Sequence, residues 1–382
     1  MNIPDLIRER GPLTVAAFME LALYHPQSGY YANAAQRSGR AGDFFTSVDV
    51  GPLFGALLAA QIREMARFAQ TEEPEDSDET PRFDLVEAGA GNARLSADIL
   101  GALASRDPEL YANIRLHLVE ASGAARAAQR TMLAEHAARL VSSSAQLPDA
   151  FTGVLIANEL LDAFPVHQVV MRGGRLREVY VRVDRGGRLF LREGDLSTPA
   201  LAAYFDRLGV TLAEGWRAEV NLQAVDWIRA AVQRLQRGFI ILLDYGHEAR
   251  DLYSVSHSAG TLMTFSRHQA SGGDEGWLEN PGSQDITAHV DFTSIREAAE
   301  AEGATVIGLL DQTYFLMGLL TAGRTGADTV PDLFVAGDRQ ERLALKTLLM
   351  PGGLGSTMKV LILGKDVGKP PLAGISYRVR LT

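Results

Sequence analysis

Apolar positions fall into two regimes along the chain. Near the N-terminus they recur at helical spacing. Val15, Phe18, Met19, Ala22 and Leu23 predict a helix over 12–24, and Leu53, Leu57, Ile62, Met65 and Ala66 predict a second over about 51–69. Between them "YHPQSGYYANAAQRSGRAGDFFTS" is rich in Gly, Ser and aromatics and predicts a loop system. After residue 81 short, unbroken apolar runs take over: "FDLVEAG", "IRLHLVEAS", "FTGVLIANE", "GFIILLDYG" (238–246) and "GATVIGLL" (303–310), with "RLVSS" as a further short strand. Helical stretches such as "ARLSADILGAL" and 123–138 lie between them. Strands apolar along their whole length are buried on both faces, and their alternation with helices predicts an α/β fold with a parallel, doubly wound sheet.

Residues 166–195 break this pattern. They alternate with period two around Gly-Gly turns at 173–174 and 186–187, which predicts an inserted antiparallel meander. Residues 199–237 read as helical, and 247–300 as a further helical, substrate-side region. "TMKVLILGK … ISYRVRL" reads as two strands with a Pro/Gly-rich connection, and "QTEEPEDSDETP" (70–81) as an acidic, solvated linker. The expected organisation is an N-terminal helical segment and active-site loop over 1–81, followed by one large domain over 82–382.

Composition narrows the function. Of 382 residues, 46% are apolar and 22% charged, as in ordinary globular proteins, and the net charge of -10 argues against a nucleic-acid partner. With no cysteine, disulfides, zinc-thiolate sites, iron–sulfur clusters and thiol nucleophiles are excluded. No apolar run reaches membrane-spanning length, and the start lacks a signal-peptide pattern, so no membrane partner and a cytoplasmic location are expected. The meander's edges offer a surface for a homodimer.

Ligands of open α/β sheets bind at the carboxyl ends of strands. The tips here are Glu87-Ala88-Gly89, Glu120-Ala121, Asn158-Glu159 and Asp244-Tyr245-Gly246, a set that repels phosphates and suits a cation flanked by hydroxyls. "VEAGAGNARL" (86–95) carries Arg94 where a dinucleotide fingerprint needs its third glycine, so it is a poor nicotinamide site. Gly89 and Gly91 still permit close backbone approach, and Glu120 is placed to accept from two ribose hydroxyls. Together they suit S-adenosyl-L-methionine, a sulfonium with a ribose and no phosphate. The alternatives are a tight strand–helix turn with a surface glutamate and, for "IANELLDAFPVHQ" (156–168), a helix start capped by Asn158.

Several stretches resemble the MidA-like family of S-adenosylmethionine-dependent methyltransferases, which includes a mitochondrial complex I assembly factor that methylates arginine. They are "GRAGDFFTS" (39–47), "VEAGAGNARLSADIL" (86–100), "ANELLDAFPVHQ" (157–168), "LLDYGH" (242–247), "GTLMTFSRH" (260–268), "NPGSQDITAHVDFT" (280–293) and "MPGGLGSTMKVLILGK" (350–365), in the family's order. The resemblance implies a class I methyltransferase (Rossmann-like) fold with an added N-terminal helical segment and substrate-side region. It also implies donor contacts from the Gly42–Ser47 loop, with Thr46 and Ser47, and from Glu87, Gly89, Gly91, Glu120, the adjoining Ala121 and Asn158. The chain departs from the family at "SVDVG", where Asp49 replaces a glutamate, and at Leu354-Gly355-Ser356.

Methyl transfer from a sulfonium is an in-line displacement. A hydroxyl acceptor needs a base, for which His167, His268 and His289 are candidates. A guanidinium acceptor needs carboxylates, for which Glu159, Asp162 and Asp49 are candidates. With the substrate loop altered, a small molecule methylated on oxygen or nitrogen is the expected acceptor, with protein arginine as the alternative and a non-catalytic scaffold as a third reading. No metal site is expected, since His289 and Asp291 show no standard ligand spacing. The aromatics Tyr30, Tyr31, Phe44 and Phe45 either close over the site or anchor the long loop.

Overall fold

The apolar runs become the strands of one sheet in a computed structural model, which describes residues 3–32, 46–69, 82–266, 269–272, 275–322, 339–349 and 358–377. In chain order they are β1 (Phe83–Ala88), β2 (Ile114–Val119), β3 (Leu140–Ser144), β4 (Phe151–Asn158), β5 (Leu235–His247), β6 (Thr305–Asp311) and β7 (Met358–Lys365). Their order across the sheet is β6-β7-β5-β4-β1-β2-β3. The β1–β2, β2–β3, β1–β4 and β4–β5 pairs are parallel, and β6 and β7 are antiparallel to each other. Every residue of β1 is buried, as its unbroken apolar run requires. The expected doubly wound sheet is therefore present, and β4 lies beside β1.

The chain divides into two compact units. The sheet unit comprises Phe45–Glu159, Arg229–Asp244 and Ala299–Thr382. It also holds α1 (Pro52–Ala69), α2 (Arg94–Arg106) and α3 (Gly123–Leu133). Leu57, Leu58, Ile62 and Met65 of α1 are fully buried, on the face that helical spacing marked out. Two glycines let the central strands close up. Asp84, Gly153 and Gly238 stand in register across β1, β4 and β5. A Cβ on Gly153 would lie 2.2 Å from the Asp84 carbonyl oxygen, and one on Gly238 would lie 1.9 Å from that of Gly153. Both also have φ between +130° and +150°, at +145° and +133°, where side chains are strained.

The second unit comprises Met1–Phe44, Leu160–Ile228 and Tyr245–Ala298. The meander is present as the antiparallel strands His167–Arg172, Arg175–Val183 and Leu189–Gly194, turning through Gly173 and Gly174. Two further strands extend that sheet, Leu13–Thr14 on Arg175–Val183 and Arg217–Val220 on His167–Arg172. The latter corrects the all-helical reading of 199–237, where helices Ala200–Leu208 and Leu222–Arg234 flank the strand. Four residues are too few for a period to show, and pairing with His167–Arg172 makes "RAEV" a strand. The helical reading of 247–300 is likewise corrected. Met263–Ser266 pairs with Gln269–Gly272 and with Asp285–Thr287, and the longest helix there among the described residues is Phe292–Ala301. The core of this unit includes Phe18, Met19, Leu23, Tyr30, Val170, Val181 and Ile286. Ile3–Arg10 is an additional helix, and the helix expected from residue 12 begins at Val15, where the Thr14 hydroxyl caps the Ala17 N–H at 3.1 Å.

The linker 70–81 and residues 378–382 of the expected final strand lie outside the described residues; Ala373–Ile375 is a single 3-10 turn. Among the described residues no helix is long and apolar enough to cross a membrane.

Candidate active site

The turn from β1 into α2 is built on Gly89 (φ 72°) and Gly91 (φ 49°), left-handed positions that a side chain would strain. The turn is fastened on both sides. The Gly89 and Ala90 N–H groups donate to the Val119 carbonyl at 2.9 and 3.1 Å, and the Gly91 N–H donates to Glu120 Oε2 at 2.8 Å. Gln129 donates to the Gly91 carbonyl at 2.9 Å and accepts from the Ser143 hydroxyl at 2.6 Å. Glu120 Oε1 accepts from the Ser122 N–H at 2.7 Å. Each carboxylate oxygen keeps a second acceptor position, so Glu120 both braces the glycine turn and retains capacity for ligand hydroxyls. Ala121 is exposed, and its carbonyl and that of Glu120 accept from Arg126 at 2.8 and 2.5 Å.

Glu87 behaves differently. It is buried, and one oxygen accepts from both the N–H (3.1 Å) and the hydroxyl of Ser96 on α2. Desolvation raises its carboxyl to about 8, against the two Ser96 hydrogen bonds that lower it. Glu87 thus fastens strand to helix beneath the turn. Arg94, in the place of a third fingerprint glycine, reaches Asp49 Oδ1 at 3.2 Å. Asp49 Oδ2 accepts from the Thr46 N–H and hydroxyl, each at 3.0 Å. Ser47 is fully buried, with its hydroxyl 3.1 Å from Gln312 Nε2. Gly42, Phe44, Phe45 and His268 lie outside the described residues.

At the tips of β4 and β5, Asn158 and Glu159 are half-buried and Asp244 is buried. Asn158 Nδ2 donates to Glu159 Oε1 at 3.1 Å, while Asn158 Oδ1 is buried with no partner among the described residues. An orphaned buried acceptor is costly, so this atom fits a ligand N–H or O–H. Glu159 has φ 52°, and its N–H donates to the Leu243 carbonyl at 2.8 Å. Desolvation first, then the like charge of Asp244, raises its carboxyl to about 8, while hydrogen bonds from Asn158 and the Ser47 backbone act in the opposite direction. Asp244 itself is 2% exposed.

The remaining candidates belong to the second unit. His167 Nδ1 is 2.7 Å from Glu178 Oε1, and Glu178 also accepts from the Ser197 N–H at 2.5 Å, so this imidazole is engaged within the meander sheet. Asp162 is buried, and its carbonyl accepts from the Ala288 N–H at 3.0 Å. Tyr31 donates to Asp285 at 2.6 Å and Tyr30 is fully buried, so both anchor the start of the long loop. His289 sits among two further imidazoles, with ring centroids 5.3 Å from His247 and 5.9 Å from His257. Burial, then those two neighbours, lower it to about 4. Sequence reasoning missed Ser96, Gln129 and Arg94 as supports of the turn, because each acts through a partner distant in the chain. It missed the histidine group for the same reason.

A glycine turn at the first strand tip, a glutamate at the second and a polar fourth tip, on a sheet whose order ends in a reversed strand pair, define a class I methyltransferase. The chain belongs to a family of S-adenosyl-L-methionine-dependent methyltransferases, whose model matches residues 57–310, and its cofactor is S-adenosylmethionine. It is similar to protein arginine methyltransferase NDUFAF7, mitochondrial, of Rattus norvegicus, with 30% identity over 82% of this chain and 72% of that protein. The Caenorhabditis elegans homolog shows 29% identity over 82% and 74%. A crystal structure of a superfamily member from Burkholderia thailandensis bound to S-adenosyl-homocysteine superposes with a TM-score of 0.83 at 29% identity, covering 98% of this chain and 93% of that one. The nicotinamide and non-catalytic readings give way to these findings. The expected cytoplasmic location is also corrected: the animal relatives are named mitochondrial, and the lack of a signal-peptide pattern does not distinguish the two compartments.

Proposed function

We propose that the chain transfers the methyl group of S-adenosylmethionine to an arginine side chain of a protein. The observation that carries this reading is the pair of carboxyl groups at neighbouring strand tips, Glu159 and Asp244, where repulsion from the charge of Asp244 adds to desolvation in raising Glu159 to about 8. A guanidinium relieves that repulsion and offers a fork of N–H donors that matches carboxylates. The names of the relatives support the same acceptor. The small-molecule reading rested partly on the altered run "SVDVG". Asp49 keeps a carboxylate there, bound to Arg94 and Thr46, so the substitution does not remove the charge.

S-adenosylmethionine supplies an electrophilic methyl group on a positive sulfur. In this reading Glu120 accepts from ribose hydroxyls, Gly89 and Gly91 let the backbone approach, and Asn158 Oδ1 accepts from a donor N–H. Glu87, through Ser96, keeps the turn in place. Glu159 and Asp244 bind the guanidinium and aim one nitrogen along the line of displacement. As the nitrogen–carbon bond forms and the sulfur–carbon bond breaks, that nitrogen sheds a proton. Glu159 takes it: with the guanidinium bound, the repulsion that raises its carboxyl is relieved, which leaves it ionised and able to accept the proton. The product guanidinium remains cationic.

The test uses S-adenosylmethionine with a tritiated methyl group and a cell lysate, fractionated by mass after reaction. Label recovered as methylarginine from hydrolysed protein supports the reading. Label confined to the low-mass fraction overturns it in favour of a small-molecule acceptor.

A further inference from the structure

Three histidines in the second unit converge from separate elements. His247 ends β5, His257 ends the 3-10 turn Val255–His257, and His289 lies between the strands Asp285–Thr287 and Val290–Asp291. One ring nitrogen from each lies within 4.8 Å of the others. The geometry points to a binding site for a divalent transition-metal ion of the zinc type, held by His247, His257 and His289.

Four observations support it. First, imidazole is the ligand these ions favour, and three protein nitrogens with a fourth position open is a recurrent zinc arrangement. Second, the ring of His257 is already oriented as a ligand. Its Nδ1 is 3.0 Å from the Asp251 carbonyl, a contact only a protonated nitrogen makes, which leaves the lone pair on Nε2. Third, His289 Nδ1 is buried with no partner among the described residues, an unmet acceptor or donor that a bound ion or its water would satisfy.

The fourth observation is the framework. The backbone at His289 is fixed, since its N–H donates to the Thr261 hydroxyl at 3.1 Å, and that hydroxyl donates to buried Glu219 at 3.0 Å. The backbone next to His247 is fixed too, because Gly246 and His247 pair in register with Val290 and Asp291. Nitrogens around a tetrahedral zinc stand about 3.4 Å apart, as bonds of about 2.0–2.1 Å require. All three rings are half-buried, and the 3-10 turn carrying His257 is short, so a small rotation closes the remaining distance. Asp291 is not a ligand. Its carboxylate is occupied by the Tyr204 hydroxyl at 2.7 Å and the Ser294 hydroxyl at 2.6 Å. The bound ion would tie the end of β5 to the turn and loop that follow it, independently of which acceptor the enzyme methylates.

The experiment is calorimetric titration of tag-free, chelator-stripped protein with Zn2+, and separately with Mg2+. The expected result is one Zn2+ per chain at micromolar affinity or tighter, no stoichiometric Mg2+, and a loss of at least about 100-fold in Zn2+ affinity in His257→Ala. S-adenosyl-homocysteine binding and far-UV circular dichroism check that the variant is folded. X-ray absorption of zinc-loaded wild-type protein, which needs no variant, is expected to show three imidazole nitrogens. Absence of stoichiometric zinc binding, equal affinity in a folded His257→Ala, or a shell of carboxylate and water oxygens would overturn the site.

Discussion

Glu87 and Glu120 end adjacent strands, yet their surroundings give them different work. Glu87 is closed off and joined to Ser96, while Glu120 is half-buried and braces Gly91 with capacity to spare. Replacing Glu120 by Ala removes the brace and, in the proposed reading, the hydroxyl acceptor. Calorimetry with S-adenosylmethionine should show affinity falling about 10-fold or more, roughly 1.4 kcal/mol. On the proposed role of Glu159, Glu159→Gln should leave donor affinity within about threefold and lower turnover by about 100-fold, because the amide neither carries charge nor accepts the proton. Glu87 makes a prediction in pH. Its folded pKa of about 8 exceeds the ordinary 4.5, so over that interval the folded protein keeps a proton that the unfolded chain gives up. Stability contributed by protonated Glu87 is present at low pH and declines as pH rises from about 4.5 to about 8. Urea unfolding at pH 6 and pH 8 should show wild type losing roughly 2 kcal/mol relative to Glu87→Gln. The placing of the glutamates, Gly89, Gly91 and Asn158 at strand tips was legible in the sequence because each stands beside its own strand run. What Glu87 does there was not, because its partner Ser96 is identifiable only once α2 is folded back against β1.

At the scale of elements, β1, β4 and β5 are packed to the limit that glycine allows. Gly153→Ala and Gly238→Ala each drive a methyl group into a neighbouring carbonyl at a strained φ, and each should cost about 3 kcal/mol or more, read as a lower denaturation midpoint with unchanged slope. The long strands and the meander were legible because period and turn glycines agree over six or more residues. Arg217–Val220 and the small sheet of Met263–Ser266, Gln269–Gly272 and Asp285–Thr287 were not. These are runs of three or four residues, too short for a period to show, and they become strands through the pairing that the folded chain brings about. The three histidines were hidden for a related reason: they are brought together by the ends of elements and share no local spacing.

For the whole molecule, a cofactor that binds only the folded state adds to stability by mass action. S-adenosyl-homocysteine at about 100 times its dissociation constant should raise unfolding free energy by about 2.7 kcal/mol, seen as a higher melting temperature, while NADH should leave it unchanged. The position of β7 bears on how the protein is made. It lies between β5 and β6, so β6 cannot join the sheet until synthesis has passed Lys365. A ribosome adds roughly 5–20 residues per second. For several seconds the nascent chain therefore displays the apolar edge of β5, a template for unwanted strand pairing. Slowing translation between β5 and β7 should lower soluble yield more than equal slowing before β5, because it prolongs the interval in which a chaperone must cover that edge.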